Sequence, residues 1–287
     1  MKEGRRADLH VHSTASDGLL PPAEVVKRAA AVGLSAMALT DHDTVEGIPE
    51  ASAEAKRQGI ALLPAAELSA NEPGLSVHLL AYGFDPGWPE LRSFLEAYRE
   101  DRIRRAREMV NRLNALGVGL RNEDIRRETG RAAPTRAHVA RALVGRGLAR
   151  DAEEVFRRFL SRGGPAFVEK RATSPAEVIG KVHAAGGVVL LAHPGRTHGP
   201  AAIRRWAGQG LDGVEVLHPE NSPAVRARLG NLAAELGLLR CGGSDWHGPH
   251  THRASLGSEP VPVEWFEEIA ARCRAGGGGT VPGPRRD

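Results

Sequence analysis

Ala7-Asp8-Leu9-His10-Val11-His12-Ser13 is the stretch on which the reading of this chain turns. Alternation along a strand puts Leu9 and Val11 on one side and His10 and His12 on the other, so two imidazoles project together. Taken alone, the pair leaves metal binding and a tolerated exposed face equally open. Working outward, apolar runs at 35–40, 60–67, 77–82, 188–193, 214–217 and 238–241 read as further strands. Between most of them lie helical stretches at 22–31, 49–58, 175–185, 201–208 and 222–236, several opened by proline. Such repetition implies an α/β fold with a mainly parallel sheet.

Ionisable side chains recur where these strands end. Thr40-Asp41-His42 closes the second, Glu67 the third, His193 follows Gly-Gly-Val-Val-Leu-Leu-Ala, and Asp245 with His247 follows the last. In a closed parallel barrel those ends converge on one face. Unpaired polar groups clustered there would be costly to bury, and a metal cluster resolves the cost. Imidazole and carboxylate without thiolate suit Zn, Mn or Fe, and the candidates exceed what one tetrahedral ion accepts, so more than one divalent ion is expected. Two ions about 3.5–4 Å apart are suited to hydrolysing phosphate esters.

Residues 88–162 break the strand–helix rhythm. They carry 18 Arg, no Lys and 11 Asp or Glu, a charge of +7 that leaves −3 for the rest of a chain whose net charge is +4. Leu91, Leu95, Tyr98, Met109, Leu113 and Leu116 recur near helical spacing, so this segment reads as an all-helical insertion. The barrel is then discontinuous, 1–87 and 163–275, and the Gly- and Pro-rich stretch 276–287 is expected to be a disordered tail. A net charge of +4 on 287 residues excludes wholesale nucleic-acid coating, and 41% hydrophobic with 26% charged residues excludes a disordered chain. Two cysteines, Cys241 and Cys273, exclude a disulfide framework, and Cys241 reads as a buried structural thiol. No apolar run reaches the ~18–20 residues of a membrane span, so a cytoplasmic protein with no membrane association and no obligate protein partner is expected.

Asp-Leu-His-Val-His-Ser at 8–13, Thr-Asp-His-Asp-Thr at 40–44, Ala-His-Pro at 192–194 and Gly-Ser-Asp-Trp-His-Gly at 243–248 together resemble the motifs of the PHP family, named for polymerase and histidinol phosphatase. The resemblance runs on through Val-His-Leu-Leu-Ala-Tyr-Gly at 77–83, Thr-Arg-Ala-His-Val-Ala-Arg-Ala-Leu at 135–143 and His-Gly-Pro-His at 247–250. That fuller pattern is similar to stand-alone PHP phosphoesterases acting on nucleoside 3′,5′-bisphosphates and on short RNA 5′ ends. It implies a distorted (β/α)7 barrel of PHP type with the helical insertion, and a trinuclear site holding two or three divalent ions. His10, His12, Glu67 and Asp245 would hold the first ion. Glu67 would bridge to a second held also by His78 and His193, and Asp17, His42 and His247 would hold the third.

Substrate contacts are assigned to Arg102, Arg105, Arg136 and His138 in the insertion and to His218 and His250 near the strand ends. Ala137 stands where the family usually has proline. His183, His198 and His252 are expected at the surface. The activity implied is removal of the 3′ phosphate from a nucleoside 3′,5′-bisphosphate by attack of metal-activated hydroxide, with a small phosphorylated nucleotide as partner. A 5′-to-3′ exoribonuclease on short 5′-phosphorylated RNA is the alternative among enzymes. A histidinol-phosphate phosphatase is disfavoured by the Arg-rich insertion, and a non-catalytic PHP module by intact ligands with no polymerase region following.

Overall fold

A computed structural model describes residues 5–72, 74–195, 198–249, 251 and 254–275; the expected tail at 276–287, His250 and His252 lie outside them. The chain begins β1 (Arg6–Val11), α1 (Pro22–Ala31), β2 (Ala36–Leu39), α2 (Ile48–Gln58), β3 (Ala61–Glu72), β4 (Leu75–Tyr82). There follow α3 (Pro89–Ala115), α4 (Asn122–Thr129), α5 (Arg136–Gly145), α6 (Ala152–Val155) and a π-helical turn at Phe156–Leu160. The last part is α7 (Pro175–Ala184), β5 (Val188–Leu191), α8 (Pro200–Ala207), β6 (Gly213–Leu217), α9 (Pro223–Leu236), β7 (Leu239–Gly242), β8 (Val261–Pro262) and α10 (Val263–Ala275). Proline in the first turn opens α1, α2, α7, α8 and α9, where its missing N–H costs nothing. Ser174 and Ser222 cap α7 and α9 by accepting from Glu177 N and Val225 N.

Two compact units result, one from Met1–Phe94 with Ala172–Asp287 and one from Leu95–Arg171. In the first, the described strands lie in the order β7-β6-β5-β4-β3-β2-β1-β8. Their alternate residues Leu9, Leu63, Leu80, Tyr82, Leu190 and Cys241 fill an inner core, to which α10 adds Phe266, Ile269 and Cys273. Val25, Val26, Ala51 and Ala55 of α1 and α2 form an outer layer with Met37 and Leu39. The sheet curls nearly into a barrel, and β1 approaches β7 across the gap. There Gly243 lies so close to His10 that a Cβ on it would strike the His10 backbone. Ser244 N and Oγ bridge the same gap by donating to the Asp8 carboxylate at 2.9 and 2.6 Å.

Three expectations change. Leu9 and Val11 do not share a face, because the β1–β2 register shifts between Asp8 and Val11; Leu9 enters the inner core and Val11 the outer layer. Glu67 lies within β3 rather than at its end, since β3 continues to Glu72 to pair with β4. Finally, β4 runs antiparallel to both β3 and β5, because a short hairpin rather than a helix joins it to β3. That reversal sets His78, early in β4, directly opposite Ser69, beyond Glu67 on β3.

The second unit, taken by itself, is helical among its described residues. Met109 and Leu113 of α3 pack with Ile125 of α4, Val139 and Leu143 of α5, Val155 and Leu160. Thr135 caps α5 by accepting from His138 N, and His138 Nδ1 in turn accepts from Thr135 N at 3.0 Å, a reciprocal capping box.

Candidate metal centre

Glu67 is the middle of the site. It is buried, and its Oε2 lies 3.2 Å from His10 Nε2, 3.3 Å from His12 Nε2 and 3.1 Å from His42 Nδ1. Its Oε1 lies 2.8 Å from His78 Nδ1 and 3.1 Å from His193 Nε2. Asp245 Oδ1 stands 3.4 Å from His10 Nε2 and 3.2 Å from His12 Nε2. Asp17 faces His247 Nε2 at 3.4 Å and His42 Nε2 at 3.9 Å. The candidate ligand atoms gather in three overlapping groups: His10, His12, Glu67 and Asp245; His42, Glu67 and His78; and His12, Asp17, His42 and His247.

The backbone is bent to achieve this. His193 (φ 30°), Asp245 (φ 50°) and Asp43 (φ 52°) are non-glycine residues in the left-handed region, and all three lie in or beside the cluster. Charge is as concentrated as geometry. Burial lowers the His10 pKa, but Glu215 and Glu67 on either side outweigh it and push it up to about 10. Burial takes His12 down to about 4, and the neighbouring His247 adds to the effect. Burial would raise the Asp17 carboxyl, yet His42 and His247 hold it well below its usual range, as His42, His78 and His10 do for Glu67.

These residues fit a divalent cation. His12 shows it best: the ring is buried, Nδ1 has no hydrogen-bond partner among the described residues, and Nε2 lies between two carboxylates without a well-aligned hydrogen bond to either. Buried imidazole nitrogens without hydrogen-bond partners are rare, and borderline divalent ions take imidazole and carboxylate together.

Of the residues that support this cluster, Asp41 and Asp43 lie in the 40–44 motif and Glu215 lies outside every quoted motif. Glu215 of β6 is fully buried; its Oε1 accepts from His10 Nδ1 at 2.9 Å and its Oε2 from His193 N at 2.6 Å. Asp41 accepts from Ser13 N, Ser13 Oγ and Ser16 Oγ at 2.6–2.8 Å, fixing the turn that carries Asp17. Asp43 accepts from Ser69 N at 2.6 Å. A glutamate inside the apolar run Gly-Val-Glu-Val-Leu was the available signal for Glu215, since a buried charge there demands a partner.

The remaining candidates fall as follows. His218 is buried, its Nδ1 accepts from Glu220 N at 3.2 Å, and its Nε2 lies 3.6 Å from Asp245 Oδ2. In the helical unit, Arg102 and Arg105 are buried, and Arg105 donates through Nε and Nη2 to Val168 O at 3.2 and 3.1 Å. Arg136 spreads over Phe156 and Phe167 at 5.7 and 5.8 Å. Burial, with the like charges of Arg102 and Arg136, lowers the Arg105 pKa to about 10. His198 is not at the surface: it is buried edge-on to Trp206, which α8 brings beneath it. His183 stays partly exposed and meets Asp212 at 2.7 Å. Cys241 is buried, which raises its thiol pKa well above the usual value.

The PHP domain model matches residues 8–164. The chain belongs to the PHP domain family. The chain is 38% identical to a 3′,5′-nucleoside bisphosphate phosphatase of Chromobacterium violaceum, over 92% of this chain and 96% of that protein. It is 36% identical to a 5′-3′ exoribonuclease of Haemophilus influenzae, over 85% of this chain and 91% of that one. The solved structure of a protein from Bifidobacterium adolescentis, described as a metal-dependent phosphoesterase, superposes with a TM-score of 0.88 at 33% identity, covering 93% of this chain and 96% of that one.

Proposed function

We propose that this PHP protein is a divalent-metal-dependent phosphoesterase that removes the 3′ phosphate of nucleoside 3′,5′-bisphosphates, giving a 5′-nucleotide and phosphate. The observation that carries the metal dependence is the His12 ring, buried with Nε2 between Glu67 and Asp245 and with no well-aligned hydrogen bond among the described residues. His10, His12, Glu67 and Asp245 would hold one ion, Glu67, His78 and His193 a second, and Asp17, His42 and His247 a third. Divalent ions there would supply positive charge for the phosphoryl oxygens and acidify the attacking water. The side chains do the placing: Glu67 turns one oxygen to each half of the cluster, and His247 Nδ1 donates to Asp245 O at 2.8 Å, leaving Nε2 toward Asp17.

The second phosphate is assigned to Arg102, Arg105 and Arg136 with His138, on the chemistry of the helical unit. Guanidinium groups match phosphate bidentately, and of the two causes that lower the Arg105 pKa, burial and then the like charges of Arg102 and Arg136, the second is relieved by an anion. His250 and His218 complete the proposed contacts. A 5′-to-3′ exoribonuclease on short 5′-phosphorylated RNA is the second reading, favoured by the 36% identity to the Haemophilus influenzae enzyme.

The test is a turnover panel of adenosine 3′,5′-bisphosphate, histidinol phosphate and 5′-phosphorylated oligoribonucleotides after manganese or zinc reconstitution. AMP and phosphate from the bisphosphate, at the highest kcat/KM of the three, is the expected result. Preference for the oligonucleotide moves the protein to the second reading, and turnover unaffected by chelation removes both.

A further inference from the structure

Glu215 is a buried carboxylate that belongs to none of the three groups of candidate ligand atoms. Both its oxygens are engaged, and by donors from two different strand ends: His10 Nδ1 of β1 at 2.9 Å and the His193 backbone N–H after β5 at 2.6 Å. The direction of the first bond fixes the chemistry of the ring. A carboxylate only accepts, so His10 Nδ1 must carry a proton, and Nε2 is the atom turned toward Glu67 at 3.2 Å and Asp245 at 3.4 Å. The second bond holds a strained backbone, since His193 sits at φ 30°.

We infer that Glu215 is a positioning residue: it locks His10 with Nδ1–H turned away from the centre, so that Nε2 is presented to a divalent cation, and it pins His193 alongside. This rests on the metal-centre reading above. No other side chain does both tasks at the same size. In glutamine one end is NH2, a donor. Whichever way the amide turns, it sets N–H against the His193 N–H or against His10 Nδ1, and in the latter case it favours the tautomer with a proton on Nε2, where the cation should bind. Aspartate keeps the charge and the acceptors and loses only reach.

The experiment measures zinc stoichiometry and dissociation constants, by competition with a chromophoric chelator, in the wild type, Glu215→Gln and Glu215→Asp, together with the melting temperature of each after metal removal. Glu215→Gln should weaken one zinc ion by about 10- to 100-fold and leave the ion near Asp17 bound as before. Its metal-free melting temperature should stay near that of the wild type, and Glu215→Asp should recover part of the lost affinity. Unchanged zinc affinity in Glu215→Gln overturns the inference. So does an equal loss of every ion with a lowered metal-free melting temperature, which is the mark of a merely structural role. If Glu215→Gln does not fold, 15N spectra of the zinc-loaded wild type decide, with the His10 ring identified by its absence from His10→Asn. A proton on Nδ1 and zinc on Nε2 supports the inference, and zinc on Nδ1 overturns it. A wild type that takes up no zinc or manganese at all overturns instead the metal-centre reading on which the inference stands.

Discussion

Burial can silence a histidine, and His198, whose Nδ1 has no hydrogen-bond partner among the described residues, is the case here. It is buried against Trp206, and burial, with His193 nearby, takes its pKa down to about 4. Between that value and about 6.5 the unfolded chain binds a proton that the folded chain refuses, so stability falls as pH drops through this window and is whole above it. Unfolding free energies of the wild type and His198→Phe at pH 6.5 and 4.5 should diverge, with the wild type losing about 2 kcal/mol more. Parallel losses would show that the ring is not held neutral. Nothing in the local pattern marks this burial, because the Trp206 that covers His198 is eight residues away on the next helix. His42, His193, Asp245 and His247 were legible for the opposite reason: each follows a strand, and converging ends bring such groups together whatever the loops do, whereas Asp17 and His78 were marked only by the family resemblance.

Among the elements, β4 and the β1–β7 seam were the least legible. Alternation marks a strand but not its direction, so the antiparallel β4, and with it the placing of His78, had to come from pairing. α10, whose Phe266 and Ile269 enter the inner core, lies beyond the last motif and carries no chemistry to draw attention. The seam has its own test. Gly243 leaves no room for a Cβ beside the His10 backbone, so Gly243→Ala must push β1 away from the chain that follows β7. A destabilisation of about 1–3 kcal/mol is expected, with reduced metal content, because His10 and Asp245 flank the point of contact. Normal stability and metal content in the purified variant would mean that the seam yields without cost. In the helical unit, Arg136→Ala should cut kcat/KM on a nucleoside 3′,5′-bisphosphate by roughly ten- to a hundredfold, and on p-nitrophenyl phosphate hardly at all. Equal losses on both would assign Arg136, stacked on Phe156 and Phe167, to the fold instead.

For the molecule as a whole, Glu67, Asp245, Asp17 and Glu215 gather at one end of the first unit among histidines, which hold Glu67 and Asp17 well below the usual carboxylate range. Ions that bind the native state alone add RT ln(1 + [L]/Kd), about 2.7 kcal/mol at a hundredfold excess over Kd. Chelation should therefore lower the melting temperature by several degrees, as calorimetry with and without chelator would record. A melting curve unchanged after metal loss is verified would mean that the cluster does not tie the strand ends together. Among the described residues no helix is long and apolar enough to cross a membrane.

A cluster built from imidazoles and carboxylates, with both cysteines, Cys241 and Cys273, buried in the inner core, has among the described residues no soft donor with which to prefer one borderline ion over another. For such sites intrinsic affinity follows the general ranking of the divalent first-row series rather than the needs of the reaction. Which ion a newly made chain captures would then be decided by supply at the moment of folding, and two preparations of the same polypeptide from differently fed cells would be chemically different catalysts.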